Sequence, residues 1–164
     1  KLFKLNKVSY VITQNIDNLH HDSGIQSNKI IELHGNSTFA KCLNCNKRYE
    51  LKYVKKFLEK NNNNYTVAPK CSDCNGIIKS ATISFGQPMP EKEMRVAKKA
   101  TLECDLFIVI GSSLKVYPAA NLPIIARKNG SKLIIINREN TELDSIAHLV
   151  INDEIGKTLS NIKF

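Results

Sequence analysis

The sequence lacks any apolar run approaching the roughly 18 residues that a membrane-spanning helix requires, so a helical membrane protein is not expected. Residues 1–10 lack both a long apolar stretch and a small-residue cleavage site, and no secretory signal is read there. Acidic residues are in short supply, 15 against 24 basic ones, for a formal net charge of +9. Such an excess fits an anionic partner. The lysines are scattered, however, and no basic helix with interleaved aromatics accompanies them. The densest group, Lys52, Lys55, Lys56 and Lys60, reads as a solvated helix face, and no specific nucleic-acid partner is expected. The five cysteines are an odd count without a secretory signal, which argues against a disulfide framework. A reducing compartment and a bound metal are the expectation, with a cytoplasmic location, or a nuclear one in a eukaryote. Hydrophobic residues at 42% and charged residues at 24% exclude collagen, coiled coil and wholly disordered chain. A chain of 164 residues is one domain, or one domain with a small insert, and buries about 70% of its unfolded surface.

Three short continuous apolar runs are present: residues 8–13 (VSYVIT), 106–110 (LFIVI) and 133–136 (LIII). They are rich in β-branched residues and too short for helices. Such runs are expected to be buried on both faces, as in a parallel sheet. Residues 148–151 form a weaker fourth candidate. Helical patterns lie between them at 91–103, 119–128 and 141–147, with Pro90 at one entry and Gly130 at one exit. This alternation predicts an α/β fold. From 39 to 79 the apolar runs vanish and cysteine, asparagine and lysine take over. That stretch reads as an insert on the α/β body, with the Asn run at 61–64 as a loop tip.

The insert carries Cys42-Leu-Asn-Cys45 and Cys71-Ser-Asp-Cys74. Two intervening residues let both sulfurs of a tight knuckle face one ion, and two knuckles complete a tetrahedron of thiolates. Four protein ligands leave no open position, so the expected zinc is structural. Elsewhere, polar residues follow the apolar strands. Gln14-Asn15-Ile16-Asp17 comes after the first, Gly111-Ser112-Ser113 after the second and Asn137-Arg138-Glu139 after the third. Each alone fits an ordinary turn; together they fit a nucleotide crevice at the carboxyl ends of a doubly wound sheet. His34-Gly35 follows the short apolar stretch 30–33, where the histidine serves either as a packed structural residue or as a base. Ser84-Phe85-Gly86-Gln87 follows another β-like run and is either a plain strand exit or an edge for an extended peptide.

In their order and content these segments resemble the sirtuin family of NAD-dependent protein deacylases. The matching residues are Thr13-Gln14-Asn15-Ile16-Asp17-Asn18-Leu19-His20, His34-Gly35, the doubled CxxC, Ser84-Phe85-Gly86-Gln87, Gly111-Ser112-Ser113-Leu114-Lys115-Val116-Tyr117-Pro118 and Asn137. The resemblance implies a Rossmann-like NAD-binding body over 1–38 and 80–164, with a four-cysteine zinc module over 39–79. It implies His34 as the catalytic base, with Asn15 and Asp17 holding nicotinamide and a nearby water. Gln14 would lie beside the ribose, Ile16 would belong to the cofactor-binding set, and Gly111, Ser112, Ser113, Asn137, Arg138, Glu139 and Ile155 would bind the adenosine half. Phe85 and Gly86, with Leu114 and Val116, would form two edges around an acyl-lysine peptide. The reaction implied converts acyl-lysine, NAD and water to lysine, nicotinamide and O-acyl-ADP-ribose, with NAD consumed as a co-substrate. The same residues also fit mono-ADP-ribosyl transfer, and a catalytically silent zinc-ribbon binding module is the reading from another class.

The family pattern opens with a strand and a Gly-Ala-Gly loop that this sequence does not contain. The resemblance therefore implies a Rossmann-like sheet incomplete at its N-terminus. Loss of the loop's backbone donors, each worth about 1.5–3 kcal/mol, weakens NAD binding by on the order of 10³-fold. The 164 residues alone are expected to be nearly inactive. Two further departures are Gln87, where many relatives carry glutamate, and Ser80-Ala81, where a proline is common.

Overall fold

A computed structural model describes residues 2–162. The chain divides into two compact units, Lys1–Glu93 and Met94–Phe164.

The first unit starts from a parallel pair, β1 (Val11–Thr13) and β2 (Ile30–Glu32), in register Val11 to Ile30, Ile12 to Ile31 and Thr13 to Glu32. Between them run the short helix α1 (Leu19–Asp22) and a 3-10 turn, Ser27–Lys29. Ile31, Leu33 and Thr13 are buried here. The first strand is shorter than the apolar run at 8–13 predicts, because only its last three residues find the partner strand. An antiparallel sheet follows, in which β3 (Gly35–Cys42) lies between β4 (Arg48–Glu50) and β5 (Ile78–Thr82). Its core is Ala40, Cys42, Cys71 and Ile78, with Tyr49 and Val54 against it.

The insert contains a helix, α2 (Leu51–Lys60), with no fully buried residue. Its half-buried Val54, Phe57 and Leu58 follow a helical period, while Lys52, Lys55, Lys56 and Lys60 are exposed, as a solvated basic face should be.

The 13-residue helix α3 (Glu91–Glu103) has Glu91 and Glu93 in its first turn, where carboxylates complement the helix dipole. Ala97 and Thr101, four apart, are its buried stripe, and the Thr101 hydroxyl donates to the Ala97 carbonyl at 2.8 Å.

The second unit is a parallel three-stranded sheet of order β6 (Leu106–Ile110), β7 (Lys132–Ile136), β8 (Leu149–Ile151). Helix α4 (Asn121–Lys128) connects β6 to β7, and α5 (Ile155–Asn161) follows β8. Val109, Leu114, Ala120, Leu133, Ile135 and Leu143 form the core. Full burial of one such leucine contributes about 1.5–3 kcal/mol. Gly130, at φ 93°, ends the segment after α4 in a conformation that favours glycine.

Burial on both faces does not hold for β6: Leu106, Ile108 and Ile110 are each more than 40% exposed, while Val109 is buried. Helix α4 packs against β6 and β7. The helix read at 141–147 is a single 3-10 turn, Asp144–Ile146. The Asp144 carboxylate accepts the Thr141 amide at 3.0 Å and its hydroxyl at 2.6 Å, and this local bonding competes with helix extension.

Candidate functional site

Parallel pairing brings the carboxyl ends of β1 and β2 together, and with them the two segments that carry titratable chemistry. The loop after β1 holds Gln14, Asn15, Ile16 and Asp17. The Asn15 amide donates to the Thr13 hydroxyl at 3.0 Å, and the Ile16 carbonyl accepts both the amide and the hydroxyl of Ser37, at 2.9 and 2.7 Å. Asp17 accepts the Leu19 amide at 3.0 Å, so its carboxylate is held at the start of α1. Asn15, Ile16 and Asp17 are exposed and Gln14 is half-buried.

His34 stands just beyond β2, half-buried, with Nδ1 3.2 Å from the Gln14 carbonyl. A carbonyl only accepts, so Nδ1 carries the proton in this bond, and in the neutral ring Nε2 is then the nitrogen with a free lone pair. Its backbone carbonyl accepts the Ile83 amide at 2.9 Å, which fixes the histidine between β2 and the end of β5. Gly35 follows at φ 73°, and a Cβ there would collide with the Ala81 carbonyl oxygen. Phe85 is fully exposed at the tip of the turn after β5, and Gly86 beside it has φ 82°.

In the second unit, a cleft of about 430 Å³ is lined by Ser113, Asn137, Arg138, Glu139, Asp153, Glu154, Ile155 and Gly156. Five of these are predicted nucleotide-side residues. Asn137 is braced on three sides: its amide donates to the Ile151 carbonyl at 3.1 Å, its side chain to the Glu139 carbonyl at 2.7 Å, and its carbonyl accepts the Asn152 side chain at 3.1 Å. Gly111, at φ 63°, bonds β7 through the Ile136 carbonyl at 2.9 Å, and a Cβ there would come within 2.8 Å of the Ile155 side chain. The Ser112 hydroxyl accepts the Leu114 amide at 3.3 Å. Leu114 is buried in the core while Val116 is exposed, so at this edge the leucine has only its backbone to offer a ligand. Asp153, Glu154 and Gly156 escaped the sequence reading. The signal was the weak apolar run at 148–151, whose carboxyl end they follow. Asp153 is held below the usual carboxylate range by the Glu154 amide and then by Lys157.

The four paired cysteines converge in the first unit. Their sulfurs all lie within 4.8 Å of one another, with Cys42–Cys74 at 3.4 Å and Cys45–Cys71 at 3.6 Å. A zinc tetrahedron with 2.3 Å bonds has sulfur–sulfur edges of about 3.8 Å. The two knuckles are built alike. The Asn46 and Asn75 amides close back on the Cys42 and Cys71 carbonyls at 3.1 and 3.0 Å, and both asparagines take the left-handed conformation. The sulfurs also divide their protons unequally. Cys71 is drawn down to about 6, chiefly by the Tyr49 hydroxyl donating to it. The Gly76 amide pulls Cys74 down, yet the neighbouring sulfurs of Cys42 and Cys45 push it up to about 12. Four crowded sulfurs cannot all ionise together without a cation, and a divalent metal removes that conflict. Cys104 lies apart, donating to the Thr101 carbonyl at 3.3 Å.

Comparison with known proteins adds a family. The model described as the Sir2 family matches residues 1–118. The chain is 51% identical over 158 residues to an NAD-dependent protein deacetylase of Rhodopseudomonas palustris, covering 96% of this chain and 61% of the relative. It is 42% identical over 155 residues to an NAD-dependent protein deacetylase of Thermotoga maritima, covering 94% and 60%. Among solved structures it is similar to Sir2Tm bound to a propionylated peptide, with a TM-score of 0.86, 40% identity, and coverage of 97% of this chain and 64% of that one. A Sir2–p53 peptide–NAD+ complex gives a TM-score of 0.86 at 40% identity, covering 97% and 63%. The chain spans about 60% of the length of the curated relatives it matches.

Proposed function

The chain belongs to the Sir2 family, and from that premise we propose that it carries the chemistry of an NAD-dependent protein lysine deacylase, with acyl-lysine protein or peptide and NAD as its substrates. One observation carries the reading: His34 Nδ1 is anchored on the Gln14 carbonyl, beside Asn15 and Asp17. NAD supplies a ribose carbon whose bond to nicotinamide can be broken, with the acyl oxygen as the incoming nucleophile. This chain's residues supply the rest. Asn15 and Asp17, with Gln14 and Ile16, orient the nicotinamide end. His34 Nε2 takes a proton from a ribose hydroxyl so that the sugar can accept the acyl group, and a positioned base of this kind contributes typically about 10²–10⁴-fold. Gly111, Ser112, Ser113, Asn137, Arg138, Glu139 and Ile155 are assigned to the adenosine half, which the cleft volume in the second unit supports. Phe85, Gly86, Leu114 and Val116 are assigned to the peptide.

Residues 39–79 are assigned as a structural zinc module on a Rossmann-like body of 1–38 and 80–164. No described helix is long and apolar enough to cross a membrane. The clustered free thiols suit a reducing compartment, and a cytoplasmic location is proposed.

Nicotinamide release from NAD with an acetyl-lysine peptide, using protein made from the complete reading frame, tests the reaction. His34→Ala is expected to abolish release while zinc content stays unchanged. Full activity of that variant rules out His34 as the base.

A further inference from the structure

The turn that carries Phe85 and Gly86 is fastened by a single ammonium. Lys79 Nζ donates to the Thr82 carbonyl at 2.7 Å, to Gln87 Oε1 at 2.9 Å and to the Ser84 hydroxyl at 3.3 Å. The same Gln87 oxygen accepts the Ser84 amide at 2.9 Å, and the Gln87 amide closes the turn on the Ser84 carbonyl at 3.0 Å. Every one of these acceptors is neutral. Directly across the sheet, in register on β3, Lys79 faces another lysine, Lys41. Like charges opposite one another on a sheet repel. Loss of water, then Lys41, holds the Lys79 ammonium below the ordinary lysine range. Glu32 and Glu93 border the same 240 Å³ cavity as Lys41, yet among the described residues no ion pair links a carboxylate to either lysine. A glutamate at position 87 would set a carboxylate against the ammonium; the glutamine there leaves the charge standing.

We propose that the unneutralised Lys41–Lys79 pair selects the peptide, so that acyl-lysine peptides with a carboxylate within two residues of the acyl-lysine are preferred over those with a basic residue there. The inference rests on the reading of Phe85 and Gly86 as a peptide-binding edge. Both lysines are half-buried at the edge of solvent, where a screened charge pair is worth little each way, so the preference is roughly two- to fivefold in affinity and in kcat/KM. Added salt erodes it, because the charges act through solvent.

Two labelled acetyl-lysine peptides, alike except for flanking glutamate or flanking lysine, test this. Binding is read by fluorescence anisotropy at low salt and at about 0.5 M NaCl, where the Debye length falls below 5 Å or so. Nicotinamide release is read with the same peptides, and the protein is made from the complete reading frame. The acidic peptide is expected to bind tighter by the stated factor at low salt, with the ratio falling toward one at high salt. In Gln87→Glu and in Lys79→Met the low-salt ratio also falls toward one; the ratio cancels any general loss of folded protein. Equal affinities in the wild type, a preference for the basic peptide, or an unchanged ratio in Gln87→Glu overturns the inference. An intact ratio without nicotinamide release would instead sink the deacylase reading and leave the charge selection standing.

Discussion

The Tyr49 hydroxyl donates to Cys71 Sγ at 3.1 Å while accepting the Ser72 amide at 3.1 Å. Tyr49 lies on β4, the strand that follows the first knuckle, and Cys71 opens the second. One hydroxyl thus ties the two halves of the cysteine tetrad and directs its proton at a thiolate. Partners of this kind typically set metal affinity by about 10- to 100-fold. Tyr49→Phe is expected to weaken zinc binding by that factor in a chelator competition, with stoichiometry still one zinc per chain when zinc is in excess. Unchanged affinity would show that the bond is incidental.

Removal of a ligand goes further. In Cys74→Ala three sulfurs remain and the tetrahedron cannot close, so tightly bound zinc is lost and the 39–79 module becomes protease-sensitive. Cys104→Ala is the control. Its sulfur makes only weak contacts, at 3.3 Å to the Thr101 carbonyl and 3.5 Å to the Ser131 hydroxyl. The change is expected to leave zinc content alone and cost about 1 kcal/mol or less. Metal analysis of both variants decides whether the ligands are the four assigned.

What could be read from the chain alone follows from how local each signal is. The LFIVI and LIII runs became β6 and β7, paired from Leu106–Lys132 to Ile110–Ile136, because short β-branched runs have few alternatives to a strand. The doubled CxxC spacing likewise carries its geometry within four residues. Helix α2 was legible only through its basic face, Lys52, Lys55, Lys56 and Lys60; its apolar side, Leu51, Val54, Phe57 and Leu58, is broken up by those lysines and forms no apolar run. The Lys79 network was invisible for another reason: its cation, its facing lysine and its acceptors meet only after β3 and β5 pair. The Asp153–Gly156 lining of the cleft depended on recognising the three-residue strand β8.

His148 gives a pH dependence of known sign. The Leu133 amide donates to its Nδ1 at 3.0 Å, a bond that requires that nitrogen to be unprotonated. Loss of water, then Arg127 and Lys132, lowers its pKa in the folded state. As pH falls through about 6.5 the unfolded chain takes up its proton first. The contribution is therefore intact above that pH and lost below it, toward the depressed folded value. Thermal midpoints measured between about pH 7.5 and 5.5 should fall more steeply for wild type than for His148→Asn, whose side-chain oxygen can accept the same amide. Parallel slopes would remove His148 from the account.

Two glycines with nearly the same backbone separate conformational strain from collision. Gly35 has φ 73° and Gly86 has φ 82°, both in the left-handed region where a side chain is strained by roughly 1–2 kcal/mol. Around Gly86 a new Cβ would meet nothing within 4 Å. At Gly35 it would strike the Ala81 carbonyl oxygen, which is backbone and cannot swing away as a side chain could. That carbonyl belongs to β5, whose Thr82 pairs with Gly35 in register, and His34 is the residue before. Gly86→Ala is thus expected to cost about 1–2 kcal/mol in urea unfolding. Gly35→Ala should cost about 2–4 kcal/mol, because strand separation is added to strain. It should also displace His34 from the Gln14 carbonyl, so the nicotinamide release proposed above, measured on protein made from the complete reading frame, falls per folded molecule as well. Equal costs for the two substitutions would mean that β3 and β5 part freely at this point, and that the close approach does not hold His34 in place.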